Sequence, residues 1–131
     1  MIDCLIVGDS IAVGTAHARP ECVSLSKGGI NSYNWNKQNA GNSVAARTVI
    51  ISLGSNDYRG IKTETELQHL RAVTKADRVF WILPAIKPHV QDIVRRVAAE
   101  HGDTVIPIIA LQPDGVHPSA KGYQAIANST R

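Results

Sequence analysis

The chain has 131 residues, the size of one domain, and 44% of them are apolar, enough to fill a core. Its 14 basic and 11 acidic residues leave a net charge of +3, and both signs are scattered along the sequence. This balance excludes a polyelectrolyte tail and argues against a nucleic-acid partner. The longest apolar run, residues 105–111, is far shorter than the roughly 20 residues of a membrane-spanning helix, so we expect no membrane insertion.

Five short apolar runs, rich in β-branched residues, predict the strands of a sheet. Most are continuous rather than alternating, which is typical of strands covered on both faces by helices. The runs are residues 4–7, 22–25, 49–53, 79–83 and 105–109. We expect a single domain over residues 1–131.

Segments of helical character separate these runs. Pro88 can occupy a first helical position, and apolar residues follow at helical spacing until Gly102 ends the helix. Thr63 and Glu66 match a capping box, which predicts a second helix start. The two patterns place helices after the third and fourth strands.

Two more helices are predicted with different strength. One should follow Pro118, whereas residues 34–46 contain four asparagines and Gly41, so a helix there should be short or irregular. Strands that alternate with helices predict a three-layer α/β/α sandwich around a five-stranded parallel sheet.

The two cysteines, Cys4 and Cys22, are too few for a disulfide framework or a metal cluster. We expect two buried thiols, and a bridge between them requires that the strands they begin lie side by side. Residues 1–3 lead into an apolar run without the basic segment and long apolar core of a secretory signal. We therefore expect a cytoplasmic protein, or one exported by other means.

Polar segments follow four of the five predicted strands. In an open parallel sheet, ligands bind beyond the carboxyl ends of the strands, so these segments should share one rim. They are Gly8-Asp9-Ser10, residues 27–32, Gly54-Ser55-Asn56-Asp57 and residues 114–118. Asp9 is expected to order its loop, and Asp57 to tie adjacent loops together.

Ser10 and His117 are the candidates for covalent catalysis, because a serine hydroxyl needs an imidazole within reach to take its proton. Asp114 lies three residues before His117, so a turn can return its carboxylate to one imidazole nitrogen and leave the other for Ser10. Asn56 could donate a side-chain N–H to an oxyanion, and Gly29 a backbone N–H, beside the N–H of Ser10.

Each of these residues also has a plainer explanation. Ser10 could be an ordinary helix cap, Asn56 a turn residue and Gly29 a position of positive φ. Gly28 competes with Gly29 for the donor role. If His117 is the base, activity should fall as the pH drops through the ordinary range of histidine titration, because a protonated imidazole accepts no proton.

The four polar segments, in this order, resemble the four sequence blocks of the SGNH hydrolases, also called the GDSL esterase and lipase family. Gly8-Asp9-Ser10 is similar to the nucleophile block, Gly54-Ser55-Asn56-Asp57 to the G-x-N-D block and residues 114–117 to the D-x-x-H block. The glycine block is the loosest match, and Ile11 stands where the family name expects Leu.

This resemblance implies a flavodoxin-like fold with strand order 2-1-3-4-5 and a serine-dependent ester hydrolase. Ser10 would be the nucleophile, His117 the base and Asp114 its orienting acid, with Asn56 and Gly29 at the oxyanion. The mechanism requires no cofactor and no metal. Other histidines lie at no metal-ligand spacing.

The chain is shorter than most members of that family, which leaves its loops little length for a lid. We expect a shallow, open pocket for an acetyl or other short-chain ester, carried on a larger molecule such as a glycan. Residues flanking the rim could contact this carrier, although the aromatic content of 5% argues against an extended sugar-stacking platform. These residues are Lys27, Asn31, Tyr33, Trp35, Tyr58 and Arg59.

Three alternatives remain at this point. The first is a thioesterase or a lysophospholipase-like lipase of the same mechanism, and the second is a catalytically dead glycan-binding module. The third, a nucleotide-binding flavodoxin-like domain, is disfavoured because residues 8–14 lack both the G-x-G-x-x-G spacing and a phosphate-loop lysine. The sequence makes no prediction of oligomeric state.

Overall fold

The computed structural model describes residues 1–131, in which strands and helices alternate along the chain. The elements are β1 (Cys4–Gly8), α1 (Ser10–Ala18), β2 (Val23–Ser26), α2 (Ser32–Gln38), β3 (Val44–Ser52), α3 (Thr63–Val73), β4 (Thr74–Ile82), α4 (Pro88–His101), β5 (Thr104–Ile106) and α5 (Ala120–Ser129). All strand pairs are parallel, and the order is β2-β1-β3-β4-β5. The predicted sheet and its strand order are confirmed.

Two apolar clusters cover the two faces of the sheet. Side chains of β1 alternate between them, so Leu5 and Val7 lie on the face of α2, α3 and α4, and Ile6 lies on the face of α1 and α5. The larger cluster is completed by residues such as Trp35, Leu67, Trp81 and Val94, and the smaller by Ile11, Phe80, Ile106 and Ile126. No helix is both long enough and apolar enough to cross a bilayer.

Three strand boundaries differ from the predicted ones by more than one residue. β3 begins at Val44 and β4 at Thr74, both earlier than predicted, since the first residues of both strands are mostly small or polar and form no long apolar run. β5 ends at Ile106 instead of continuing to residue 109, because Pro107 has no N–H for the ladder. The short helix predicted within residues 34–46 is present as α2, which already begins at Ser32. It is followed by a turn and by the start of β3.

The helix starts are placed as predicted, but one has a different cause. Pro88 opens α4 and Gly102 ends it in the left-handed conformation, with φ of 69°. α3 does begin at Thr63, yet the capping box is wrong: the Thr63 hydroxyl donates to Asp57 Oδ2 at 2.8 Å. Glu66 instead accepts from the Asn36 amide at 3.0 Å. The residues of the motif serve contacts between segments rather than a local cap.

Gly8 allows β1 to end against β3. Its φ is 139°, and a Cβ at this position would lie 1.8 Å from the Ser52 carbonyl oxygen, so only glycine fits. The next residue, Asp9, donates its N–H to that same carbonyl at 3.0 Å. This close approach places the start of α1, and with it Ser10, at the carboxyl end of the sheet.

The expectation of two buried thiols is wrong, because Cys4 and Cys22 form a disulfide with Cα atoms 4.9 Å apart. β1 pairs with β2 in the register Leu5 to Val23, so the cysteines directly before these residues are neighbours across the pair. The adjacency that a bridge requires is therefore present. The disulfide lies at the amino ends of the strands, on the side of the sheet opposite the polar rim.

Removing this disulfide is expected to destabilise the fold by about 3 kcal/mol at 25 °C, because it closes a loop of sequence separation 18 in the unfolded chain. Urea unfolding of the Cys4→Ala/Cys22→Ala double variant, compared with the oxidised and the reduced wild type, measures the effect. The double variant and the reduced protein should lose similar stability. A loss below about 1 kcal/mol in both would contradict the expectation.

Candidate active site

Three side chains from distant parts of the chain form one line of hydrogen bonds at the rim. Ser10 Oγ lies 2.8 Å from His117 Nε2, and His117 Nδ1 lies 2.7 Å from Asp114 Oδ2. The Asp114 and His117 side chains are 46% and 35% exposed, so the line lies at the surface. The geometry can pass a proton from the serine hydroxyl to an imidazole held by a carboxylate.

The Asp114 carboxylate also builds the loop that carries His117. Its Oδ1 accepts the backbone N–H groups of Val116 and His117 at 2.9 and 3.0 Å. These bonds, with the one to the imidazole, lower the pKa of Asp114 to about 2. The Gln112 N–H closes the loop by donating to the His117 carbonyl at 2.8 Å. The ionised Asp114 side chain thus both shapes the turn and orients the imidazole.

Ser10 is the first residue of α1, and Asp9 is the cap. Asp9 Oδ1 accepts the N–H of Ile11 at 3.0 Å, so the explanation of Ser10 as the capping residue is excluded. As a first-turn residue, Ser10 has no intrahelical partner for its own N–H. That N–H lies at the positive end of the helix dipole, where negative charge is stabilised.

Asp9 is fully buried directly beside this serine and orders the loop, as predicted. Its Oδ1 also accepts the Ser52 hydroxyl at 3.0 Å, whereas Oδ2 has no hydrogen-bond partner. Burial raises the pKa of Asp9 to about 6, although the bonds from Ser52 and Ile11 oppose the shift. Sequence reasoning missed Ser52, whose hydroxyl and carbonyl both hold this corner.

We expect stability to fall as the pH rises from about 4 to about 7, because Asp9 must ionise while buried. The folded pKa is raised, so this contribution is complete below the unfolded value near 4 and is lost as the pH passes through about 6. The shift corresponds to about 3 kcal/mol. Asp9→Asn keeps the Oδ1 acceptor but cannot ionise, so urea unfolding of this variant should lack that loss. Parallel pH curves for the two proteins would contradict the assignment.

Asn56 lies at the rim after β3, with its side-chain nitrogen donating to the Ile30 carbonyl at 3.1 Å. An amide nitrogen carries two N–H groups, and no second acceptor in the protein takes the other. The bond to Ile30 therefore holds the side chain while leaving one donor for a ligand.

The two glycines after β2 lie in a turn closed by the Ile30 N–H, which donates to the Lys27 carbonyl at 3.3 Å. Gly29 has φ of 76°, and nothing lies within 4 Å of a Cβ built on it. A Cβ on Gly28 would lie 4.0 Å from the Cβ of Ser10. Gly29 thus has the conformation that the turn requires, and Gly28 is the glycine beside the serine.

Asp57 joins the segments around Asn56, as predicted. Its carboxylate accepts the Ser32 N–H at 2.8 Å, the Ser32 hydroxyl at 2.6 Å and the Thr63 hydroxyl at 2.8 Å. Asp57 is buried, so these bonds are shielded from water. They hold the starts of α2 and α3 against the loop that follows β3.

The surface around the line of hydrogen bonds is open. None of five well-defined cavities of the protein is lined by Ser10, Asn56, Asp114 or His117. The largest, of about 560 Å³, lies beside the disulfide at the opposite end of the sheet. No group of three or more His, Cys, Asp or Glu side chains is placed to hold a metal ion.

The fold of this chain, a parallel sheet in the order β2-β1-β3-β4-β5 between helices, is similar to that of two solved proteins. A provisionally assigned acylhydrolase from Bacteroides fragilis superposes with a TM-score of 0.63 at 20% identity, covering 96% of this chain and 83% of its own. The C-terminal catalytic domain of peptidoglycan O-acetyltransferase A from Streptococcus pneumoniae, solved with a methylsulfonyl adduct, gives 0.62 at 17%, with 98% and 89% covered. No family model and no curated protein matches the chain. At these identities the likeness establishes the fold.

Proposed function

We propose that the protein is a serine-dependent ester hydrolase of the SGNH type that acts through an acyl-enzyme. The observation that carries this proposal is the unbroken line from Asp114 through His117 to Ser10. A hydroxyl at a helix start, an imidazole on a turn and a carboxylate in that turn are separate features. Their meeting at hydrogen-bond distance is what nucleophilic catalysis requires.

In the proposed first half-reaction, Ser10 Oγ attacks the ester carbonyl carbon while His117 Nε2 takes the hydroxyl proton. Asp114 stabilises the imidazolium, and the carbonyl oxygen becomes an oxyanion. The Ser10 N–H, the free N–H of Asn56 and a backbone N–H of Gly29, or of its neighbour Gly28, donate to it. The C–O bond then breaks, and His117 gives its proton to the departing alcohol.

In the second half-reaction, a water molecule attacks the carbonyl of the acyl-enzyme. His117 takes one proton from this water, and the new tetrahedral intermediate uses the same oxyanion donors. When the bond to Ser10 Oγ breaks, His117 returns the proton to the serine and the carboxylic acid leaves. Every group in the cycle belongs to the chain, the ester or water.

The proposed substrate is an acetyl or other short-chain ester on an exposed carrier. The open surface around Ser10 supports this choice, because a long acyl chain would need an apolar cavity beside the serine. If hexanoyl and longer nitrophenyl esters were cleaved faster than the acetate, the short-chain proposal would be wrong. Acyl-CoA and lysolipid substrates, compared with acetate esters in the same assay, distinguish the thioesterase and lipase alternatives.

Acetyl transfer is the second candidate, favoured by the likeness to an O-acetyltransferase catalytic domain. It shares the acyl-enzyme, with a sugar hydroxyl in place of water in the second half-reaction. Mass spectrometry of the products with and without an added acceptor sugar separates the two: free acetate alone indicates hydrolysis, and an acetylated acceptor indicates transfer.

A fluorophosphonate probe tests the proposal directly. Ser10 Oγ should displace fluoride and form a bond to phosphorus, and peptide mapping should find the adduct on Ser10 alone. Ser10→Ala should take up no label, and His117→Ala should label far more slowly because its serine is not activated. An adduct on another serine, or equal labelling of the Ser10→Ala variant, would overturn the assignment of the nucleophile.

A further inference from the structure

Two exposed tyrosines line a cleft next to the loop of Asn56. Tyr33, in the first turn of α2, is 50% exposed, and Tyr58, after Asp57, is 65% exposed. Together with Gly60, Ile61, Lys62 and Glu66 they enclose about 320 Å³, and we call this region the tyrosine cleft. Its volume lies within the range of small-ligand sites.

Buried hydrogen bonds join the two segments that carry the tyrosines. The Asp57 carboxylate accepts both the N–H and the hydroxyl of Ser32, so the residues next in sequence, Tyr58 and Tyr33, are carried on segments joined side by side. The third bond of Asp57, from Thr63, fixes the start of α3, which provides the far wall. The backbone that carries the two tyrosines is therefore fixed by buried bonds, while their side chains are exposed.

The same two segments also build the proposed oxyanion donor. Asn56 Nδ2 bonds to the Ile30 carbonyl, so residues 30–33 and residues 56–58 carry both this contact and the tyrosine cleft. A second cleft, of about 410 Å³, shares Tyr33 and Glu66 with the first. Two adjoining clefts thus extend from the Asn56 loop between α2 and α3, and Tyr33 lines both.

We propose that the tyrosine cleft binds a sugar ring of the glycan that carries the ester, an inference that rests on the proposed function. Tyrosine faces pack against the apolar C–H face of a pyranose. The Lys62 ammonium offers donors to its hydroxyl groups, and the Glu66 carboxylate offers acceptors. Two tyrosines provide stacking surface for a single sugar ring. This agrees with the low aromatic content of the chain, which argues against an extended stacking platform.

A binding experiment tests the cleft without any need for turnover. In the Ser10→Ala protein, chito-oligosaccharides or xylo-oligosaccharides should bind in titration calorimetry, and Tyr33→Ala or Tyr58→Ala should weaken binding about 2- to 10-fold each. Tyr33→Phe and Tyr58→Phe should keep most of the oligosaccharide affinity, because they keep the aromatic ring. Val73→Ala, an exposed apolar change at the far end of α3, is the control and should bind as before.

A kinetic experiment then separates failure of the cleft from failure of the catalytic proposal. For Tyr33→Ala and Tyr58→Ala, we compare kcat/KM on an acetylated oligosaccharide with kcat/KM on nitrophenyl acetate. The ratio of the two should fall by about the same factor as the oligosaccharide affinity. An unchanged ratio, or no oligosaccharide binding, would overturn the sugar site while leaving the hydrolase standing. Binding without any cleavage of either ester would overturn the hydrolase and keep the site.

A separate observation concerns Lys87, which sequence reasoning missed. Its Nζ donates to the Ser55 carbonyl at 2.8 Å and to the Asp57 carbonyl at 2.7 Å, the two carbonyls on either side of Asn56. Lys87 is also the only non-glycine residue with positive φ, at 63°. This conformation is costly for a residue with a Cβ, so a specific contact must hold it.

We infer that Lys87 is a positioning residue for Asn56. The loop after β3 contains Gly54 and is otherwise held by the Asp57 carboxylate and by the bond from Asn56 to the Ile30 carbonyl. Two charge-assisted bonds from one ammonium fix the backbone before and after Asn56, and so fix the direction of its free N–H. Loss of the ammonium should displace this donor, and a misplacement of this kind costs about 10- to 100-fold in rate.

A double-mutant cycle tests the inference. Lys87→Met should lower kcat about 10- to 100-fold with KM little changed, and Asn56→Ala about 10²- to 10³-fold. In the Asn56→Ala background, Lys87→Met should lower kcat no further, because its effect runs through the missing amide. Lys87→Arg, which retains donors, should recover part of the rate. Losses that multiply in the double variant would overturn the inference.

Lys87→Gly controls for folding. It removes the ammonium but relieves the strain at positive φ, so its melting temperature should be no lower than that of Lys87→Met. Its kcat should still fall as it does in Lys87→Met. If instead kcat follows the melting temperature across the Lys87 variants, the residue supports the fold only and the positioning role is wrong.

Discussion

Replacing Ser10 by alanine is expected to lower kcat for a short-chain ester by about 10⁶, the scale seen when a serine nucleophile is removed from a working triad. The variant keeps the helix start, because Asp9 rather than Ser10 caps α1. Stability should therefore change little while turnover disappears. Hydrolysis of nitrophenyl acetate, with purified protein and urea unfolding of the same samples, measures both.

His117→Ala should give a loss of similar size, and the Ser10→Ala/His117→Ala double variant should be no worse than either single change. The two side chains act in one proton transfer, so removing the second costs little once the first is gone. Ser24→Ala, an exposed hydroxyl on β2, is the matched control and should keep full activity. Losses that multiply in the double variant would contradict a shared step.

Asp114→Asn is expected to lower kcat by about 10²- to 10⁴-fold, where the upper value belongs to a buried triad aspartate. The amide can still accept the backbone N–H groups of Val116 and His117 through its oxygen, so the turn survives. Its nitrogen cannot accept from His117 Nδ1, and the imidazole loses its orientation. Because Asp114 is half exposed, water can replace part of the carboxylate contact, which places the expected loss below the upper value.

Titration of Asp114 itself should not contribute to the pH profile of the wild type. The backbone bonds to Asp114 lower its pKa to about 2, so the carboxylate stays ionised at every pH at which the enzyme would be assayed. Any acid-side loss of activity in the wild type must then come from another group. Asp92→Asn, an exposed carboxylate on α4, is the control and should match the wild type. Equal rates for Asp114→Asn and wild type would exclude Asp114 from the mechanism.

The parts of the fold that could be predicted from sequence are those set by local periodicity. The apolar runs gave five strands, and the proline and glycine at the ends of α4 gave its bounds, because these residues act through their own backbone. The early start of β3 could not be predicted in this way. Its first residues, Val44 to Arg47, are small or polar and become strand by pairing with β4.

The capping box at Thr63 shows the same division. The local pattern predicted the correct helix start, but the Glu66 N–H that a capping box needs donates to the Lys62 carbonyl. The Thr63 hydroxyl instead donates to the buried Asp57 carboxylate across the loop. The disulfide depended in a similar way on which strands are neighbours. Cys4 and Cys22 meet only because β2 pairs with β1, which spacing along the chain does not reveal.

For the site, the sequence by itself determined which side chains have suitable chemistry and that strand ends would bring them to one rim. Ser10, Asn56, Asp114 and His117 were all named from residue type, from spacing and from the resemblance of their segments to the SGNH sequence blocks. Only the tertiary structure decided the distances among them, which glycine lies beside the serine and that Lys87 holds the Asn56 loop. Tyr33 and Tyr58 were predicted to flank the rim, but only the structure places them in one cleft. The reason is physical: residue type sets which bonds a side chain can make, but long-range packing sets which partners come within reach.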